Sequence, residues 1–172
     1  GWVGMRYGIG ETLAKFDDKM NTQPWLAESW SVSDDKLTWT FKINDKAKFS
    51  NGNKVTAEAV KESIERAFEK NKRAATFFKY TDIKAEGQNL IITTDKPYPN
   101  VPGFLADPLF IIVDVSAEKA GRDFAKEGPI GTGPYKVKSF TKEKAVVEAN
   151  ENYWDGEVPF KTVEILSIDD PT

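Results

Sequence analysis

From Leu37 to Ile43 the chain alternates without a break. Leu37, Trp39, Phe41 and Ile43 fall on one side, and Thr38, Thr40 and Lys42 on the other. Successive strand side chains point to opposite faces, so this run is a strand with one face in a core and one in water. A Trp and a Phe on the same face require an apolar layer opposite them. Ala57, Val60, Ile64, Ala67 and Phe68 supply a candidate, because they recur at helical spacing behind a suitable N-cap, Thr56, with Glu58 in the first turn. The pattern predicts a helix over about 57–70, with Glu62 and Arg66 as an i,i+4 pair on its outer face. Strands outnumber helices along the chain, and the class is α+β or mixed α/β.

The remaining elements are shorter. Ala47 to Phe49 reads as a brief strand before an Asn51-Gly52 turn. Residues 83–85 and 90–94 read as a hairpin around Gly87. Leu109 to Val113 reads as a fully apolar strand, and strands are also expected at 135–138, 145–149 and 162–168. Short helices are expected at 73–78, at 103–106 behind Pro102, and at 116–121. Residues 2–13 are apolar, with Val3, Tyr7 and Leu13 on one helical face. Gly4, Gly8 and Gly10 each weaken such a helix by up to ~1 kcal/mol. Residues 15–23 are polar and turn-like, and Trp25, Trp30 and Trp39 sit in contexts that favour core packing.

Two zeros narrow the chemistry: the chain has no Cys and no His. Zinc sites of Cys and His, thiol chemistry and a Ser-His-Asp triad are excluded within it. With 24 Lys and Arg against 27 Asp and Glu, the basic excess of a nucleic-acid binder is missing. The longest apolar run, Leu109 to Val113, is too short to cross a bilayer, and no signal segment opens the chain. It begins abruptly at Gly1-Trp2-Val3-Gly4, as a piece of something longer would.

Several motifs invite functional readings. Gly131-Thr132-Gly133-Pro134 suggests a phosphate cradle, but no Lys-Ser/Thr follows and Pro134 leads into a strand, so a tight turn fits better. The pairs Asp17-Asp18, Asp34-Asp35 and Asp169-Asp170 sit in polar turns, where a glycosidase's two opposed carboxyls are not built. Asn150 to Gly156 has oxygen donors but lacks the bidentate Glu of a calcium loop, so structural capping by its Asn side chains is the better reading. Arg6 beside Trp2 and Tyr7, and Arg73 near Phe77 and Phe78, pair a planar cation with rings. That is equipment for gripping a carboxylate-bearing small molecule, or equally a surface Arg beside core aromatics.

Three blocks carry a family likeness: PWLAESWSVSDDKLTWTFKINDKAKFSNGNKVTAEAVKESIERA from Pro24, PIGTGPYKVKSF from Pro129, and NENYWDGEVPFKTVEILSI from Asn150. In order and spacing they resemble the peptide- and nickel-type extracellular solute-binding proteins of ABC importers, family 5. The opening GWVGMRYGIGETLAKFDDKMN is more similar to the nickel or metallophore branch. The resemblance implies a periplasmic-binding-protein-like fold of two lobes around a cleft, with residues 1–172 a single partial domain from the first lobe and the second lobe absent.

It further implies a binding protein rather than an enzyme, without a cofactor. The solute would be a nickel chelate or a peptide, and the partners an ABC permease and the missing lobe. The setting would be extracellular, as a cell-surface lipoprotein or in the periplasm, with membrane contact only through an anchor outside this chain. By similarity the ligand-facing residues are Trp2, Met5, Arg6, Tyr7, Arg73, Thr76, Phe77 and Phe110. Arg73 matches a cleft Arg of nickel-type members, Thr76 stands where one of them has Trp, and Phe110 stands where another cleft Arg occurs. No metal ligand is assigned, so a bound metal would take its donors from a chelator or the other lobe. The rival readings are a carboxylate-dependent glycan hydrolase and an interaction module without a ligand.

Overall fold

The computed structural model describes residues 8–140, 144–156 and 162–166. The alternating run becomes β4 (Thr38–Ile43), with Trp39, Phe41 and Ile43 buried. It lies inside a four-stranded antiparallel sheet, between β3 (Ala27–Val32) and the hairpin of β5 (Tyr80–Glu86) and β6 (Asn89–Thr94), in the order β3-β4-β6-β5. Helix α1 (Ala57–Lys70) begins where Thr56 accepts the Ala59 N–H, and it packs across β5 and β6. Val60 and Ile64 from the helix join Phe41, Leu90 and Ile92 from the sheet in one core. An aromatic cluster of Phe68, Phe78 and Phe110 extends that core, with ring centroids 5.2–6.0 Å apart.

A second, three-stranded antiparallel sheet follows: β7 (Tyr135–Phe140), β8 (Lys144–Ala149) and β9 (Thr162–Leu166), in that order. A single turn, α2 (Ala74–Phe77), leads into β5, and α3 (Val101–Leu105), α4 (Val115–Lys119) and α5 (Phe124–Glu127) lie between β6 and β7 in the chain. A small hairpin, β1 (Ala14–Phe16) and β2 (Thr22–Pro24), precedes the first sheet.

Several expectations are corrected. The described part of 2–13, residues 8–13, is not helical. Its backbone bonds outward to other segments, which a helix's internal pairing would forbid. Residues 15–23 carry the β1–β2 hairpin, closed by the Asp17 carboxylate accepting the N–H groups of Lys19 and Asn21. The 47–49 segment makes a single bridge, Lys48 to Lys54, in place of a strand. The apolar strand at 109–113 is not a strand. Pro108, which has no N–H to give a ladder, starts a 3₁₀ turn through Phe110, and the next residues bond piecemeal to Glu11, Ser63 and Ile130.

Glu62 and Arg66 do not pair with each other. Arg66 forks onto both carboxylate oxygens of Glu118 at 2.9 and 2.8 Å, and Lys119 donates to Glu62 at 2.8 Å. Helix α4 brings these charges alongside α1, and the bidentate fork is stronger than a single in-helix contact. Trp25 stays half-buried outside the main core, under the Lys15 ammonium at 5.2 Å, whereas Trp30 and Trp39 pack into the core.

The buried indole N–H of Trp39 has no hydrogen-bond partner, so truncation there removes packing and no bond. Trp39→Ala is expected to cost about 3–5 kcal/mol in urea denaturation, in line with large aromatic truncations in cores.

Candidate functional site

Arg73, Thr76 and Phe77 are placed by the end of α1. Asn71 leaves the helix in an extended conformation and its Oδ1 accepts the Arg73 N–H at 3.0 Å. The Thr76 hydroxyl then donates to the Arg73 carbonyl at 2.6 Å and locks the single turn of α2. Ala74 is buried beneath, leaving Arg73 and Thr76 exposed and Phe77 half-buried. Phe77 rests edge-on against Phe104 and Phe110, at 6.1 and 5.6 Å. The Arg73 guanidinium has no ion-pair partner among the described residues. The surface therefore offers a hydrated planar cation, a hydroxyl and an aromatic edge, which suits an anionic solute with apolar parts.

Phe110 departs from its expected role. It is 1% exposed and enclosed by Phe68, Phe77 and Phe78, so its ring surface is already spent on core packing and it does not line the α2 surface. Trp2, Met5, Arg6 and Tyr7 lie outside the described residues. A groove of about 300 Å³ runs between α1 and residues 109–129. It contains none of the expected site residues, and the Arg66 on its wall is engaged by Glu118.

The segment after the expected binding residues is a strap through the middle of the molecule. Gly8 and Ile9 carbonyls accept from Tyr135 and Gly133, the Glu11 carbonyl from Ile112, and the Thr12 and Leu13 carbonyls from Leu26 and Ala27. A Cβ on Gly131 would sit 2.3 Å from the Ile9 oxygen, and one on Gly133 2.1 Å from the Gly8 oxygen. The Gly131-Thr132-Gly133 loop is thus a close-approach surface for another backbone. Asn150 donates to the Gly133 carbonyl and Asn152 to the Ser50 carbonyl, the capping expected of those side chains.

Sequence reasoning missed Glu11. Its side chain is buried at 2% exposure and accepts from Thr132 Oγ1 at 2.8 Å, Trp154 Nε1 at 2.7 Å and Tyr153 Oη at 3.1 Å. The available signal was a lone carboxylate in the run Gly8-Ile9-Gly10-Glu11-Thr12-Leu13, where a solvated turn has no place. Burial raises the Glu11 pKa above its ordinary value. The Trp154, Thr132 and Tyr153 donors pull it back without cancelling the rise, and the charge of Asp155 adds to it. Burial and the neighbouring Glu11 charge raise Tyr153 as well.

Asp114 is also buried and ends the other way. Desolvation pushes its pKa up, but donors from Asn51, Ser116 and Asn53 outweigh that and hold it below the ordinary value. Each of these carboxylates is engaged by its own set of donors. Among the described residues no group of three or more acidic side chains could hold a metal ion.

The two antiparallel sheets and short helices make a mixed α+β fold of the periplasmic-binding-protein type. The family model for bacterial extracellular solute-binding proteins, family 5 Middle, matches residues 21–172, and the chain belongs to that family. It is 30% identical over 169 residues to the nickel-binding protein NikA of Staphylococcus aureus, covering 98% of this chain and 33% of that protein. Among solved structures, a nickel ABC transporter protein from Bacillus halodurans superposes with a TM-score of 0.87 and 38% identity, over 95% of this chain and 34% of that one. NikA from Staphylococcus aureus in complex with Ni(L-His)₂ gives 0.86 and 31%, over 92% and 33%. Within the family the likeness therefore runs to nickel-type members, and the chain spans about one third of the length of these relatives.

Two outcomes are expected from this geometry. Gly133→Ala drives a Cβ into a carbonyl and should abolish cooperative thermal unfolding. Gly87→Ala, with nothing within 4 Å but a φ of 61°, should cost about 1 kcal/mol. Between its ordinary pKa and its raised one, folded Glu11 holds a proton that the unfolded chain has released, so Glu11 makes stability fall as pH rises through that window. Glu11→Gln should remove this component in urea titrations carried upward from the ordinary carboxylate range.

Proposed function

We propose that this chain forms one wall of the solute cleft of an ABC-importer receptor and that the solute is a nickel chelate. The observation that carries the reading is Arg73, an exposed guanidinium without an ion-pair partner among the described residues, held beside Phe77 in a chain similar to a protein solved with Ni(L-His)₂. The chain has no imidazole or thiolate, so the metal's donors come from a chelator or from the other lobe, and this reading takes the chelator as their source. A chelate of that kind presents carboxylates that an Arg fork can take bidentately. Trp2, Met5, Arg6 and Tyr7 complete this wall in the proposal, with Thr76 supplying a hydroxyl, and a second lobe supplies the opposite wall. The receptor works outside the cytoplasm, as a lipoprotein or in the periplasm, and hands solute to a permease. Catalysis is no part of this reading, in which the buried carboxylates Glu11 and Asp114 serve the fold through their donors.

Calorimetry on the full-length protein tests this. Ni²⁺ premixed with L-histidine should bind well and Ni²⁺ alone weakly. Arg73→Ala should weaken chelate binding about tenfold, the loss of one charge-assisted contact. Tight binding of bare Ni²⁺, or an Arg73→Ala variant that binds the chelate as wild type does, would count against the reading.

A further inference from the structure

Phe104 carries no motif that marks it, and only the fold sets it beside the α2 surface. Arg73 already has helical backbone angles, φ −64° and ψ −24°, so Phe77, four residues on, shares its face of the α2 turn. Phe77 in turn meets Phe104 of α3, with ring centroids 6.1 Å apart at 60°. Two further rings hold Phe104. Phe78 lies nearly parallel to it at 6.3 Å, and Tyr98 stands edge-on at 6.1 Å. Phe78 is buried and anchors the group to the core. Phe77 and Phe104 are only half-buried, so part of each ring reaches solvent, and together they make a short aromatic ledge continuous with the Arg73 turn.

The charges around the ledge decide what it takes. Arg73 is exposed and has no ion-pair partner among the described residues. At the other end the Lys96 ammonium covers the Tyr98 ring at 5.6 Å. Asp107, three residues beyond Phe104, turns to the 3₁₀ segment, where its Oδ1 accepts the Leu109 N–H at 2.9 Å. An anion is therefore drawn to the Arg73 end, and the apolar part attached to it meets rings. An aromatic group there gains offset or edge-on ring contact that an aliphatic group of equal area lacks. A ring made electron-poor by a bound metal gains further from a π face. Because neighbouring rings already fix Phe104, little ordering is left to offset that gain.

We propose that Phe104 is a specificity-determining residue of the solute wall: with Phe77 it forms a subsite for a planar ring carried by a solute whose carboxylate Arg73 takes. The proposal rests on the solute-cleft reading above, and in the nickel form of that reading the ring is the imidazole of a histidine chelate.

Calorimetry on the full-length protein tests this, with variants confirmed to be folded by circular dichroism. Two probes share the metal and differ in the ring: Ni²⁺ premixed with L-histidine, and Ni²⁺ premixed with iminodiacetate, which has carboxylates and no ring. Wild type should favour the histidine chelate. Phe104→Leu, which keeps apolar bulk without the ring, should cut that preference about three- to tenfold. Phe104→Tyr keeps the ring and should keep the preference. Phe104→Met, flexible and able to fill the same space, takes the place of Phe104→Leu if that variant does not fold. A folded ringless variant that weakens both chelates equally, or neither, would overturn the proposal, because a merely structural role lowers both alike. Wild type without a preference overturns it before any variant is made. Wild type that takes neither chelate ends the nickel reading alone, and the dipeptides Gly-Phe and Gly-Leu then replace the chelates. A Gly-Phe preference that Phe104→Leu removes upholds the subsite; equal binding of the two dipeptides, or none, overturns it.

Discussion

The approach of two backbones without side chains between them sets the architecture. The carbonyls of Gly8 and Ile9 lie against Gly133 and Gly131 at separations that no Cβ tolerates, and Gly133 and Tyr135 donate to those same carbonyls. Through this contact the second sheet is seated on the strap. The strap continues to Ile112 and then to Leu26 and Ala27 at the edge of the first sheet. Three parts of the chain that are remote in sequence thus share one short segment as their common partner.

Around that seam the buried charges are handled by provision of donors. Asp114 receives side-chain donors from Asn51, Asn53 and Ser116, which hold the turn after Phe49 against the start of α4. Glu11 receives three donors but lies under a heavier desolvation burden, so its proton is held more firmly than usual. The difference in direction between the two comes from the balance of burial and donors, since both are carboxylates with little exposure.

The candidate binding surface is modest in this chain and consists of what the end of α1 throws outward. Arg73 stays exposed because the helix ends at Asn71, and the single turn that follows buries Ala74 while leaving the guanidinium in water. Phe110 lies on the other side of the same aromatic cluster and is consumed by it. One cluster therefore props up the surface and withdraws a residue from it.

Much of the fold was legible from local pattern. The strict alternation of 37–43, the helical stripe and Thr56 cap of 57–70, and the Gly87 hairpin each depend on periodicity or capping within a few residues, and all appear in the structure. The family was legible as well, because three motif blocks keep their order and spacing. What only the tertiary structure decided were the pairings between distant segments. Arg66 chose Glu118 over Glu62 because α4 came alongside. Residues 109–113 gave up their strand because no ladder faced them, and Phe110 turned inward because aromatic rings from α1 and α2 surrounded it. Glu11 found donors more than a hundred residues away, as the Thr132 and Trp154 bonds show. Local periodicity records which face of an element is apolar. It holds no record of which distant groups will meet a buried charge, because that depends on how whole elements pack.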